Sequence, residues 1–170
     1  MVIRKAATAD LPRIAEIKVS NWADTYGQLL DRDTLDPFLD MPEQLEYLRE
    51  TVSTPGSLLL VAEEEGAVVG FALTYLDREP EPWMESLHVL REFRSHGAGR
   101  LLMAATAREL RLRGHDRLRL GVVEGNTAAS RFYERLGAVR AGREPASWAP
   151  HVWHELYCWT DLESLTLQGR

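Results

Sequence analysis

The chemistry written into this chain is concentrated between Trp83 and Met103, in the run WMESLHVLREFRSHGAGRLLM. An apolar stretch of strand character leads into Arg94-Ser95-His96-Gly97-Ala98-Gly99-Arg100, where helical spacing of apolar residues begins. The first amides of a helix lack intrahelical acceptors and stand at the positive end of its dipole. Glycines there let the main chain approach a ligand closely, because no Cβ intervenes. The expected product is a cradle of N–H groups for phosphates, flanked by the fixed charges of Arg94 and Arg100. The same letters also describe a tight strand-to-helix turn that binds nothing. A dinucleotide-binding turn fits less well: no third glycine follows Gly97-Ala98-Gly99, and Asp116 opens its strand rather than closing it. The P-loop pattern G-x-x-x-x-G-K-[ST] does not occur.

Charge and composition narrow the partners. A net charge of −6 over 170 residues argues against bulk nucleic-acid or anionic-membrane binding. Eight arginines nevertheless fall between Arg91 and Arg119, while Asp31 to Glu50 is acidic. A local basic segment in an acidic chain suggests a small polyanion held at one place; a solvated helix face is the plainer alternative. No apolar run approaches the roughly 18 residues of a membrane span, and no apolar segment follows Met1–Lys5 as in a signal peptide. The single cysteine, Cys158, has no internal disulfide partner and no metal-site companion. These features lead us to expect one cytoplasmic domain over residues 1–170, without a metal.

The elements around the segment follow from periodicity. Val2 to Ala6 reads as a strand, and Thr8 as the cap of a helix carrying Leu11, Ile14 and Ile17. Asn21 to Leu39 reads as irregular. Asp40, Pro42 and Glu43 open a second helix that Pro55-Gly56 ends. Ser57–Glu64 and Ala67–Asp77 form a hairpin joined at Glu65-Gly66, followed by a strand over Trp83–Leu90. A helix spans about Gly97 to Arg113, a strand Asp116 to Val123, and a short helix Asn126 to Leu136, closed by Gly137. Strands at Ala138–Glu144 and His151–Trp159 complete a mixed α/β sheet domain, distinct from a doubly wound fold.

At this point the segment resembles motif A of the GNAT N-acetyltransferase superfamily, [R/Q]-x-x-G-x-[G/A], met by Arg94, Gly97 and Gly99 with a matching lead-in from Val89. Asn126-Thr-Ala-Ala-Ser-Arg-Phe-Tyr-Glu-Arg-Leu-Gly137 is similar to the family's motif B, N-x-x-A-x-x-[FL]-Y-x-x-x-G-[FA]. Two motifs in order are far more specific than either alone, and the likeness covers most of the chain; Ser95-His96 departs from the usual small or basic pair. The resemblance implies an acyl-CoA N-acyltransferase fold: a mostly antiparallel central sheet with one splayed parallel strand pair and about four helices. It implies acetyl-CoA as cofactor, no metal, an amine acceptor among small molecules or peptides, and dimers as a common assembly.

By the same resemblance, amides from about Phe93 through Arg94, Ser95, His96, Gly97, Ala98 and Gly99 to Arg100 hold the pyrophosphate. Main-chain groups of Leu87 and Val89 serve the pantetheine arm and acetyl carbonyl. Asn126 and Ser130 touch the coenzyme, and Tyr133 stands near the thioester sulfur as the expected acid. The chemistry also needs a base, since an alkyl ammonium of pKa about 10 is neutral in only about one molecule in a thousand at pH 7. Glu85 is the candidate. Strand parity places it with Trp83, Leu87 and Val89 on an otherwise apolar face, where burial would raise its pKa; a strand-end residue facing solvent is the plainer alternative. His88, of opposite parity, reads as peripheral; His151 and His154 could serve instead, although histidines in a terminal strand are usually structural. The family's usual acceptor-lining regions supply Trp22, Tyr26, Trp148 and Trp153 beside Glu85; aromatics suit a cationic amine but also a core. A non-catalytic acyl-CoA sensor is the alternative function.

Overall fold

The computed structural model describes residues 1–167, with every side chain in that span except that of Ser95. The chain runs β1 (Val2–Lys5), α1 (Leu11–Tyr26), α2 (Arg32–Leu39), α3 (Met41–Ser53), β2 (Ser57–Glu64), β3 (Ala67–Tyr75), β4 (Trp83–Val89), α4 (Ala98–Leu112), β5 (Leu118–Val123), α5 (Thr127–Arg135), β6 (Val139–Ala146), β7 (Ala149–Trp159) and α6 (Glu163–Leu167). The strands make one sheet in the order β1-β2-β3-β4-β5-β7-β6. Every neighbouring pair is antiparallel except β4 and β5. This is the mixed sheet with one parallel pair that the resemblance implies.

Local chemistry explains most boundaries. The hairpin between β2 and β3 turns on Glu65 and Gly66, at φ 51° and 81°, matching the right-handed twist of its strands. Asp40 caps α3, its Oδ1 accepting from the Glu43 amide at 2.9 Å. Thr8 does not cap α1 as expected. Asp10 holds that entry instead, accepting from the Ala7 amide at 2.7 Å and from both arms of Arg4 at 2.7 and 3.0 Å.

The expected irregular stretch from Asn21 to Leu39 is largely helical. The first helix continues to Tyr26, and α2 follows. Asp31 caps α2 by accepting from the Thr34 amide at 2.9 Å, and Phe38 stacks on Trp22 with ring centroids 3.9 Å apart. Tertiary stacking thus secures a short helix that Pro37 disguises in the sequence. With α6, six α-helices occur among the described residues rather than about four.

The sheet is covered on both faces. On one, α4 and α6 bury Leu102, Met103, Leu110 and Leu165 against Leu60, Leu118 and Trp159. On the other, Leu11, Ile14, Ile17 and Leu48 of α1 and α3 pack on Val61, Phe71 and Leu73. Between β3 and β4 the register slips. Ser86 lies opposite Leu73 but Met84 opposite Thr74, so Glu85 is the extra residue of a β-bulge.

The bulge overturns the simple parity expected for this strand. Trp83, Ser86 and His88 pair with Tyr75, Leu73 and Phe71, on the α1–α3 face. Met84, Leu87 and Val89 belong to the α4 face. Leu87 and Val89 therefore lie opposite the face expected for them, and His88 lies among the buried residues of the α1–α3 side. Close approach in the same pair explains Gly70: a Cβ there would stand 2.9 Å from the His88 carbonyl oxygen and 3.3 Å from the Val89 Cα. Neither atom belongs to a movable side-chain end. Gly70→Ala is expected to lower stability by about 1–3 kcal/mol in a urea denaturation, as overpacking does.

Candidate active site

Strands β4 and β5 pair at only two positions, Trp83↔Arg119 and Met84↔Leu120. Beyond Met84 they part, while β5 stays paired with β7 along Leu118–Val123. Peptide groups that would have closed a ladder then need other partners. One finds them in the protein: the Val89 carbonyl accepts from Asn21 Nδ2 at 3.0 Å and from Arg94 Nε at 3.2 Å. Arg94 Nη2 also donates to Asn21 Oδ1 at 2.9 Å. This triangle binds buried Asn21 of α1 to the end of β4 and to the turn that follows. Arg94 is thus turned towards α1 rather than into the cradle, and the Val89 carbonyl is already engaged.

The turn itself has the expected form. A 3-10 segment, Arg91–His96, leads to Gly97 at φ 82°, the left-handed region that favours glycine. No side chain caps α4, and its first intrahelical amide is that of Leu101, donating to the Gly97 carbonyl at 3.0 Å. The amides of Ala98, Gly99 and Arg100 precede it and are left for a ligand. Gly99 has a packing reason besides, since a Cβ on it would lie 3.1 Å from the Phe132 ring of α5. Arg100 is exposed, with Nη2 3.8 Å from where a Gly97 Cβ would stand, and is the cation at this turn. His96 is exposed and meets Phe93 edge-on; the Ser95 side chain lies outside the described residues. The uncapped amides and Arg100 fit a pyrophosphate group.

Helix α5 brings Tyr133 into the α4-side core, 8% exposed, against Trp159 and Tyr157. Burial, and secondarily Tyr26, pushes the Tyr133 phenol above its usual range, so it stays protonated. Among the described residues its hydroxyl has no hydrogen-bond partner. Asn126 caps α5 through Oδ1, accepting from the Ala129 amide at 3.3 Å, and points Nδ2 at the Tyr26 hydroxyl 3.4 Å away. Ser130 donates to Glu155 at 3.4 Å, on the β7 side.

Glu85 sits on the bulge at the first position past the last β4–β5 pair. The residue is exposed, as the solvent-facing alternative has it; neighbouring protein nonetheless desolvates the carboxyl enough to push it upward, against the Trp83 indole, Lys18 and Arg78. The indole Nε1 donates to Glu85 Oε2 at 2.9 Å. His88, expected at the periphery, packs 5.3 Å from Phe71, and burial with the charges of Lys18 and Arg94 pushes it down to about 3. An imidazole that weak holds no proton from an ammonium at neutral pH, which leaves Glu85 the stronger base of the two.

Trp22, Tyr26 and Trp148 meet in one aromatic wall, completed by Phe38, which the sequence reading passed over. Centroids are 4.6 Å apart for Trp22–Tyr26, 5.5 Å for Trp22–Trp148 and 5.0 Å for Phe38–Trp148. Trp153 does not join them. It is 38% exposed on the other side of β7, under the Arg143 guanidinium at 4.2 Å. His154 abuts Trp148 and fills the space left by Gly121; exposed His151 ties β7 to Thr34 and Asp31.

Together these features make one cleft: a parted parallel strand pair, an uncapped helix start, a carboxylate on the bulge and a buried phenol. The sequence between residues 18 and 138 matches the model of the acetyltransferase (GNAT) family. The chain belongs to that family, and its activity is acetyl-CoA-dependent acetyl transfer. It is 27% identical over 176 residues to YuaI of Bacillus subtilis, an uncharacterised N-acetyltransferase, covering 100% of this chain and 99% of that one. Its structure resembles the ribosomal-protein-alanine N-acetyltransferase of Brucella melitensis, with TM-score 0.72, 26% identity and 94% and 99% coverage. It also shares the fold of the PaiA N-acetyltransferase of Thermoplasma acidophilum in complex with coenzyme A, with TM-score 0.76, 17% identity and 92% and 96% coverage. Among the described residues no helix is long and apolar enough to cross a membrane, and no group of side chains could hold a metal ion.

Asn21→Ala leaves the Val89 carbonyl and Arg94 short of partners, and is expected to lower stability by about 1–3 kcal/mol. By loosening the turn it should also weaken acetyl-CoA binding severalfold in titration calorimetry. Lys18, 6% exposed, is pushed down from 10.5 to about 8 by burial, against the charge of Glu85. The fold therefore favours neutral Lys18 and carries a cost of roughly 3 kcal/mol wherever the group is charged, below about pH 8. Lys18→Met should melt higher than wild type at pH 7, with the gain fading as pH rises from about 8 towards 10.5.

Proposed function

We propose that the protein moves the acetyl group of acetyl-CoA onto a primary amine by direct attack, both substrates being bound together. One observation carries this reading: a single strand, β4, holds the Glu85 carboxylate on its bulge and leads through one 3-10 segment to the uncapped turn at Gly97. Glu85 and Val89 are four residue steps apart along the strand, about 13 Å. A cofactor gripped at the turn and laid along the open edge of β4 brings its far end to Glu85.

Acetyl-CoA supplies an acyl group activated as a thioester. Glu85 takes the proton that the ammonium must lose, directly or through water, and its upward-shifted carboxyl is better matched to that task than an ordinary one. Tyr133 gives a proton to the departing sulfur. The raised phenol stays protonated across neutral pH, so its proton is present when the thiolate departs. The amides of Ala98, Gly99 and Arg100 and the Arg100 side chain hold the diphosphate, and Asn126 and Ser130 flank the cofactor. The half-buried Cys158 lies opposite Arg119 and Val139 within the sheet, unsuited to carry an acyl group.

The test is release of free thiol from acetyl-CoA against a panel of amines. Tyr133→Phe and Glu85→Gln should each lower turnover by about a hundredfold or more while leaving cofactor affinity nearly unchanged. Wild-type kcat/KM should fall as pH drops through the raised Glu85 value, and Glu85→Gln should lose that limb. Tight cofactor binding without thiol release from any amine would favour a sensor over an enzyme.

A further inference from the structure

The least expected side chain near Glu85 is Lys18. It projects from the buried face of α1 and is 6% exposed. Its ammonium lies over the Tyr47 ring, 4.2 Å from the centroid. Among the described residues no carboxylate comes within 4.0 Å of it and no acceptor hydrogen-bonds it. The phenols beside it are spoken for, Tyr47 and Tyr75 bonding each other at 2.9 Å. Glu85 acts on Lys18 electrostatically but is hydrogen-bonded by Trp83, and the two charges form no ion pair.

A buried ammonium without an anion is costly, and an apolar residue of the same length would serve the core better. Lys18 is not wholly sealed, keeping 6% of its surface exposed. It stays mostly charged at pH 7.

We propose that Lys18 receives a carboxylate on the acceptor, so that the substrates are amino acids or related amino carboxylates rather than simple amines. This rests on the transferase reading above: the acceptor's amine lies at Glu85 and its carboxylate at Lys18, filling the gap between the two charges. Trp22, one turn further along the same face of α1, then bounds the acceptor's side chain with Phe38 and Trp148.

Matched acceptors test the proposal: phenylalanine against phenethylamine, methionine against 3-(methylthio)propylamine, and lysine against cadaverine, each at saturating acetyl-CoA. Wild type should favour the carboxylated member by about tenfold or more in kcat/KM, as an exchanged buried charge pair would give. In Lys18→Met that ratio should collapse to near unity, and Lys18→Arg should recover much of it. Equal or better use of the decarboxylated amines by wild type overturns the proposal. So does an equal loss with both members in Lys18→Met, which would mean that Lys18 only tunes Glu85. Thermal shifts by the same amino acids, with coenzyme A present, separate the two claims. Stabilisation that depends on Lys18 without any thiol release would sink the transferase reading alone, whereas thiol release indifferent to the carboxylate would sink the Lys18 site alone.

Discussion

Two strands that run side by side and then part set the terms for everything else in this molecule. Parallel neighbours need a crossover, and here the crossover is α4, whose N-terminus must therefore fall at the end of β4 where the opening lies. The parting starts at Glu85, the residue after the last β4–β5 pair, and Glu85 is also the bulge. A bulge adds local twist and bends its strand. The same extra residue thus turns β4 away from β5 and presents a carboxylate at the mouth so formed. Closing the ladder would remove the open edge, and straightening the bulge would move the carboxylate to the other face.

The cleft separates groups by how much solvation they can lose. At the turn, charge is handled by main-chain amides and exposed Arg100, which cost little to keep when no ligand is present. Around the bulge the groups are less well solvated, and their proton affinities are displaced accordingly: the Glu85 carboxyl upward, Lys18 and His88 downward. Displacements of this kind cost stability and are found where proton movement is required. The acidic chain as a whole carries no such tension, because its surface pairs, such as Arg13–Glu16 and Arg49–Glu46, are exposed and contribute little.

Much of the fold could be read from local chemistry, since the hairpin, the Asp40 cap, the Gly97 turn and the element order depend on neighbours in sequence. The same holds for the family motifs, whose glycines and Asn126 sit where the turn and the α5 cap need them. What escaped depends on distant partners. The bulge exists only in the register of β4 against β3, so alternation along β4 alone put Leu87, Val89 and His88 on the wrong faces. Helix α2 is secured by Trp22 stacking on Phe38, although Asp31 and Thr34 carried a readable cap signal. Nothing local says that Arg94 turns back to Asn21, or that Trp153 leaves the wall its neighbours build.

One face of α1 ties these parts together. Lys18, Asn21, Trp22 and Tyr26 recur at helical spacing and look onto the cleft in turn. Lys18 reaches towards Glu85, Asn21 fastens Val89 and Arg94, Trp22 founds the aromatic wall, and Tyr26 meets Asn126 of α5. The aromatic wall and the turn at Gly97 are therefore both tied to a single helix rather than to independent loops. A displacement of α1 along its axis would misplace all four contacts at once, so the packing of Leu11, Ile14 and Ile17 against the sheet is as much a condition for catalysis as the side chains in the cleft.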